Sequence, residues 1–63
     1  MAAQFTLEQW RKVRGISQIS MAELLNVHVN TYINWEKNPM NMKVSQVKQC
    51  ADIFEIAITD IIF

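Results

Sequence analysis

Glycine, proline and cysteine occur once each in this 63-residue chain, as Gly15, Pro39 and Cys50. One glycine and one proline leave little material for β-hairpin turns or flexible linkers. A single cysteine excludes an internal disulfide, and together with the only histidine, His28, it cannot build a metal cluster. The composition therefore predicts one all-α domain over residues 1–63, with short connections and with neither a metal nor a cofactor.

A surplus of charge and a long apolar run are also missing. Six basic and six acidic residues cancel, which speaks against a broad positive field for nucleic acid. No stretch approaches the roughly 20 apolar residues that span a bilayer, and the N-terminus lacks the pattern of a signal peptide. These absences predict a cytoplasmic protein with no membrane partner. Whether residues 1–63 are a complete chain or the N-terminal domain of a longer one stays open.

The sequence contains few of the residue patterns that are typical of catalytic sites. A single glycine provides no phosphate-cradling loop, and His28 has no evident nucleophile partner. The acidic residues are scattered without a paired arrangement, and the chain is short for a substrate cleft. We therefore expect no enzymatic activity.

The apolar residues that are present have the spacing of short helices, at about 100° per residue. Thr6 with Gln9 has the spacing of a capping box, and Ser17 is the next candidate N-cap. Pro39 prevents continuation of the third helix. The expected helices are residues 7–14, 18–25, 29–37, 44–54 and 58–62. The sequence thus predicts a compact bundle of five short helices.

The same periodicity assigns a buried face to these helices. The core residues expected from it are Leu7, Trp10, Val13, Met21, Leu24, Leu25, Val44, Val47, Cys50, Ala51 and Phe54. Ile19 falls outside this face and is expected to be exposed, whereas Met40 and Met42 are expected to fold onto the core. Three residues follow helices at positions where a left-handed conformation would end them, namely Gly15, Asn26 and Asn38.

The third predicted helix, 29–37, has an unusual outward face. On a helical wheel Val29, Asn30, Ile33, Asn34 and Lys37 share one arc, while Thr31, Tyr32 and Trp35 lie opposite with Glu36 at the boundary. Asparagine is a poor helix former, so two of them four residues apart destabilise a helix unless they contact something. Asparagine can pair with the edge of adenine, and an aliphatic group can contact a thymine methyl. Tolerated surface residues are the other interpretation.

A set of residues along the chain resembles the helix-turn-helix of the λ-repressor/Cro-like (XRE-type) family. The residues that carry the resemblance are Ser17, Gln18, Ala22, Leu25, Val27, Thr31, Trp35, Glu36 and Asn38, followed by Val44, Val47, Cys50, Ala51, Phe54, Ile56 and Ile58. The match extends over about residues 5–63. It implies a λ-repressor-like DNA-binding domain in which the second helix crosses the DNA backbone and the third lies in the major groove.

The resemblance also implies roles for individual residues. By position, Val29, Asn30 and Asn34 match base-contacting sites, and Ile33 is an adjacent candidate. The residues expected at the DNA backbone are Gln18, His28, Thr31, Lys37 and Lys43, and Gln18 is also expected to brace the third helix. Arg11 and Glu36 match a buried ion pair that ties the first helix to the end of the third. Two unrelated surface charges are the alternative for that pair.

Four residues depart from the family pattern. Asn26 and Glu55 stand where glycine is usual, His28 stands where serine or threonine caps the third helix, and Lys43 replaces a small cap residue. His28 has two interpretations: when protonated it donates to a DNA phosphate, or it is a neutral polar residue in a turn.

The leading hypothesis is a sequence-specific, double-stranded DNA-binding transcriptional regulator of bacterial or phage type. One such domain makes few base contacts, so we expect a homodimer on a palindromic operator, formed alone or only on DNA. The expected dimer contact is the apolar C-terminal region, comprising Ile53, Ile56, Ile58, Ile61, Ile62 and Phe63. The rival hypothesis keeps the fold but binds another regulator or effector protein through Ile19, Val29 and Ile33, which the zero net charge would suit.

Overall fold

The computed structural model describes residues 4–63 and contains four α-helices joined by short connections. In chain order the elements are β1 Phe5–Thr6, α1 Leu7–Val13, α2 Gln18–Leu25, α3 Val29–Lys37, a 3-10 turn Pro39–Asn41, α4 Val44–Phe54, a 3-10 turn Ile58–Asp60 and β2 Ile61–Ile62. Four of the five expected helices are therefore present. Within residues 4–63, no helix is long and apolar enough to cross a membrane.

The helices begin at polar groups that satisfy free backbone N–H donors. The Thr6 hydroxyl accepts from Gln9 N–H, and the Gln9 side-chain oxygen accepts from Thr6 N–H at 2.9 Å, so the predicted capping box is present. The Ser17 hydroxyl accepts from Ser20 N–H at 3.0 Å. At α4 the N-cap is Lys43, whose side chain cannot accept a hydrogen bond, and a side chain inside the helix binds the backbone at this position.

The side chain that binds the backbone at the start of α4 is that of Gln46. Its side-chain oxygen accepts from the Lys43 N–H at 2.9 Å. This is the second half of a capping box without the first, because a lysine side chain has no acceptor atom. The departure from the family pattern at Lys43 is therefore tolerated without leaving the donor at that position unpaired.

Three helices end in the same way. Gly15, Asn26 and Glu55 have φ of 68°, 57° and 60°, and the N–H of the next residue returns to a carbonyl five positions back in each case. Those next residues are the half-buried Ile16, Val27 and Ile56, which pack against the core. Asn26 and Glu55 thus adopt the left-handed geometry that glycine usually supplies.

Asn38 was expected to end α3 in the left-handed region, and that expectation is wrong. Its φ is −135° and its ψ is 70°. The following residue is Pro39, and contact with a proline ring disfavours a helical conformation of the residue before it. The 3-10 turn that begins at Pro39 then changes the direction of the chain.

The fifth helix is also a wrong prediction. Residues 58–60 form one 3-10 turn, and Ile61–Ile62 pair in parallel with Phe5–Thr6, with Phe5 opposite Ile61 and Thr6 opposite Ile62. β-Branched isoleucines favour extended backbone, and this segment is too short for a stable helix of its own. The strand pairing holds the two ends of the described chain together.

The core lies between α1, α2, α3 and α4. Its buried residues are Leu7, Trp10, Met21, Ala22, Leu25, Tyr32, Trp35, Val47, Cys50, Ala51, Phe54 and Ile61. Cys50 is fully buried, as expected of a small core residue, and Ile19 is exposed as expected. Met42 packs onto the core, but Met40 does not and stays exposed.

Three residues expected in the core, Val13, Leu24 and Val44, are exposed instead. On a helical wheel the buried face of α2 extends from Met21 to Ala22. Leu24 lies about 60° beyond the Met21 edge of that face. Val13 is the last residue of α1 and Val44 the first of α4, where the neighbouring helices no longer cover the side chain. Apolar periodicity finds a face but does not show how much of it a partner covers.

Trp10 fastens the C-terminal segment to α1. Its Nε1 donates to the Asp60 carbonyl at 2.9 Å, and its ring meets Phe5 edge-on with centroids 5.0 Å apart. Arg14 donates from Nε to the Phe54 carbonyl at 2.8 Å and lies over the Trp10 ring. The two hydrogen bonds join residues 50 and 40 positions apart in the chain, and no local sequence pattern predicted them.

Candidate nucleic-acid interface

Helices α2 and α3 are joined by the short connection Asn26–His28, which fixes the angle between them. The N–H of Val27 bonds back to the Ala22 carbonyl at 2.9 Å, which closes the end of α2. His28 then starts α3, because its Nδ1 accepts from the Asn30 N–H at 3.0 Å. The other ring nitrogen of His28, Nε2, makes no hydrogen bond within residues 4–63.

One face of α3 is held by its aromatic residues. Tyr32 is fully buried and Trp35 nearly so, and their rings meet edge-on with centroids 6.5 Å apart. Large aromatic side chains bury enough apolar surface to fix the rotation of a short helix. The residues on the opposite face are therefore turned away from the core.

The outward face of α3 carries the two asparagines. Asn30, Asn34 and Lys37 are exposed, whereas Val29 and Ile33 are half-buried beside them. Neither asparagine makes a side-chain hydrogen bond within residues 4–63, so both amides are available to a partner. Thr31 is exposed as well, although the helical wheel had grouped it with the buried aromatics.

A buried carboxylate ties α3 to the first two helices. Glu36 accepts from Arg11 Nε at 2.6 Å and from Gln18 Nε2 at 2.9 Å. The side chains of Arg11 and Glu36 are 11% and 3% exposed, and Arg11 also donates to the Ile16 carbonyl. Hydrogen bonding to Glu36 raises the pKa of Arg11, against the lowering effect of desolvation. The structure thus brings together Arg11, Gln18 and Glu36.

The hydrogen bond from Gln18 to Glu36 uses part of the side chain that is expected to contact the DNA backbone. Its Nε2 is directed at Glu36 from the first turn of α2. The side chain therefore braces α3, and the amide has one further hydrogen and its oxygen for any outside partner. Bracing and backbone contact are compatible at this residue.

Two further titratable groups lie beside Glu36 in the core. Burial, followed by the neighbouring Glu36 carboxylate, raises the pKa of the Tyr32 hydroxyl well above its ordinary value. The hydroxyl is buried near Glu36 without a hydrogen bond of good geometry. Burial first and Glu36 second also raise the pKa of the Cys50 thiol to about 12. Both groups are neutral at ordinary pH.

These shifts predict that the folded state loses stability in alkali. The Cys50 thiol ionises near pH 9 when unfolded and near pH 12 when folded, so unfolding releases a proton between those values. The contribution is complete below about pH 9 and is lost as the pH rises toward 12, and Tyr32 adds to the same trend. Urea unfolding between pH 7 and 11 should show a falling midpoint, with a shallower fall in Cys50→Ala. An equal fall in both proteins would contradict the assignment to Cys50.

Two lysines have no acidic partner among the described residues. Lys12 pairs with Glu8 at 2.9 Å and Lys48 with Asp52 at 3.4 Å, while the two arginines are bound to internal partners. The lysines without a side-chain partner among residues 4–63 are Lys37, at the end of α3, and Lys43, before α4. A chain of zero net charge therefore still presents two lysines without an acidic partner among the described residues, and one of them, Lys37, lies on α3 with the asparagines.

The residues expected at a dimer contact differ in how deeply the structure buries them. Ile61 is buried in the core and paired with Phe5, so little of its side chain is available to a second copy. Ile53, Ile56 and Ile58 are half-buried against the core. Ile62 and Phe63 remain exposed, and Phe63 lines an open apolar groove of about 210 Å³ with Met40, Met42, Val44 and Ile58.

A comparison with protein families gives one match, to a family model described as helix-turn-helix, over residues 7–61. This region contains all four α-helices and the connection between α2 and α3. Comparison with curated proteins found no match. Comparison with solved structures also found none.

Proposed function

The chain belongs to the λ-repressor-like (XRE-type) helix-turn-helix family of DNA-binding regulators, and we propose that it binds a specific operator with α3 in the major groove. The observation that carries this proposal is the outward face of α3. Two exposed asparagines without side-chain partners among the described residues alternate with half-buried Val29 and Ile33, on a helix whose other face is fixed in the core. In this docking mode the N-terminal residues of the recognition helix meet the base edges.

The proposed backbone contacts flank that face. Lys37 and Lys43 supply free charge, and Thr31 is an exposed hydroxyl on α3. Gln18 lies at the start of α2, and His28 presents Nε2 at the start of α3. A set of this size neutralises few phosphates, so the affinity should depend on salt with a shallow slope, about −3 to −5 in log–log form.

The proposed active form is a homodimer on a palindromic site in a bacterial or phage setting. One domain contributes few base contacts, and two-fold symmetry doubles them at a fixed spacing. The support for this in the structure is the open apolar groove lined by Phe63, Val44 and Met40, together with the exposed Ile62 that precedes Phe63. Val44 is 76% exposed and Met40 80% exposed, and apolar side chains at such exposure are a common feature of protein contacts.

The experiment that tests the proposal is selection from a pool of random duplexes by the 63-residue chain. We expect an enriched two-fold symmetric sequence, with enrichment lost in Asn30→Ala/Asn34→Ala. Lys37→Ala should weaken binding to every sequence and reduce the salt slope by about 2, because a homodimer loses two lysines. Lys48→Ala is the matched control, because Lys48 already pairs with Asp52 on α4. Failure to bind any duplex, even at low salt, would contradict the proposal.

The protein-binding alternative is favoured by one separate observation. Ile19 and Leu24 are each 62% exposed on α2, although neither is expected to reach a base edge. Glu23 lies beside Leu24 in an open depression together with Ser20 and Ile16. If no duplex is enriched, Ile19→Ser and Leu24→Ser are the variants with which to test binding to a protein partner.

A further inference from the structure

We propose that the half-site read by α3 consists of A·T pairs, with Asn30 and Asn34 each binding an adenine about two base-pair steps apart. In this arrangement each amide pairs bidentately with adenine N6 and N7, and Ile33 and Val29 contact thymine methyl groups. The inference rests on the proposed DNA-binding function and names the class of sequence that the same face recognises.

The spacing of the two amides supports the separation of the two adenines. Asn30 and Asn34 are four residues apart on α3 and both exposed. Four residues rise about 6 Å along a helix, and successive base pairs are about 3.4 Å apart. For a helix lying along the groove, the two amides therefore meet base pairs about two steps apart.

The aliphatic residues lie where a thymine methyl would be contacted. Ile33 is between the two asparagines along the helix, and Val29 immediately precedes the first. Both are half-buried, so part of each side chain is packed against its neighbours and the remainder is accessible. The thymine of an A·T pair presents its methyl group in the major groove, and no group of a G·C pair offers the same apolar contact.

Between Val29 and Asn34 this face carries no side chain of the kind that reads guanine or cytosine. Guanine is read mainly by arginine or lysine, but Arg11 and Arg14 are bound to internal partners. The first cation on α3 is Lys37, seven residues beyond Asn30 and so about 10 Å further along the helix. Glu36, the acid that could accept from cytosine, is held by Arg11 and Gln18.

The test begins with the duplex enriched by selection and modifies single bases in it. 7-Deazaadenine removes the N7 acceptor, and uracil in place of thymine removes the methyl group. At the two predicted adenines, 7-deazaadenine should weaken wild-type binding on the order of 10-fold to 100-fold. The same replacement should have little effect at one adenine in Asn30→Ala and at the other in Asn34→Ala. Gln49→Ala, which removes an exposed amide from α4, should retain the full wild-type sensitivity.

A second variant gives a gain of function that an unfolded protein cannot show. Asn30→Arg should change the preferred base at its own position from adenine to guanine and leave the Asn34 position unchanged. Enrichment of G·C pairs at these positions by the wild type, or indifference to 7-deazaadenine, would overturn the inference while the proposed function stands. Absence of binding to every duplex would overturn both.

Discussion

Replacing Glu36 by alanine is expected to lower the free energy of unfolding by about 3–5 kcal/mol, because it leaves the buried Arg11 guanidinium without its counter-charge. Glu36 also accepts from Gln18 at 2.9 Å, so the same change removes the brace between α2 and α3. A chain of 63 residues has a total stability of roughly 3–9 kcal/mol. The loss is a large share of that total, so the variant should unfold at a much lower urea concentration than the wild type.

Urea unfolding followed by circular dichroism measures this effect, and Glu8→Ala is its matched control. Glu8 also pairs with a cation, Lys12, but both side chains are exposed, so its removal should change the stability far less than removal of Glu36. The double variant Arg11→Met/Glu36→Leu removes both buried charges and should be more stable than Glu36→Ala. Equal losses in Glu8→Ala and Glu36→Ala would show that the buried pair has no special role.

Replacing Trp10 by alanine is expected to destabilise the protein by about 3–5 kcal/mol through loss of a large buried side chain. Trp10 is 6% exposed, and it is the residue through which α1 holds the C-terminal segment. Its loss removes the hydrogen bond to the Asp60 carbonyl, the edge-on contact with Phe5 and the surface beneath Arg14. The pairing of β1 with β2 should weaken as a consequence.

Two comparisons separate packing from hydrogen bonding at this position. Trp10→Phe keeps an aromatic ring but leaves the Asp60 carbonyl unpaired, so we expect a smaller loss, about 1–3 kcal/mol. Ile19→Ala removes an exposed apolar residue and should have an effect within about 0.5 kcal/mol. Amide hydrogen exchange of Ile61 and Ile62 reports the state of the strand pair. Unchanged protection there in Trp10→Ala would contradict the anchoring role.

The helices and their beginnings followed from local sequence because the interactions that define them are local. The capping box at Thr6 and Gln9 joins residues three apart, and the stop at Pro39 results from proline's own ring. The outward placement of Asn30 and Asn34 followed from helical periodicity together with the aromatic residues opposite them. For the same reason, the face on which the DNA-binding proposal depends could be recognised before the fold was known.

The sequence by itself therefore determined the helical segments, the family and the asparagine face, since all three depend on residues within a few positions of one another. Only the tertiary structure decided that Ile61 enters the core, that residues 58–62 form no helix, and that Leu24 and Val44 remain exposed. It also decided which cations stay free, because the partners of Arg11 and Arg14 lie up to 40 residues away. Such contacts depend on how the helices pack, and helical periodicity contains no information about the neighbour that covers a face.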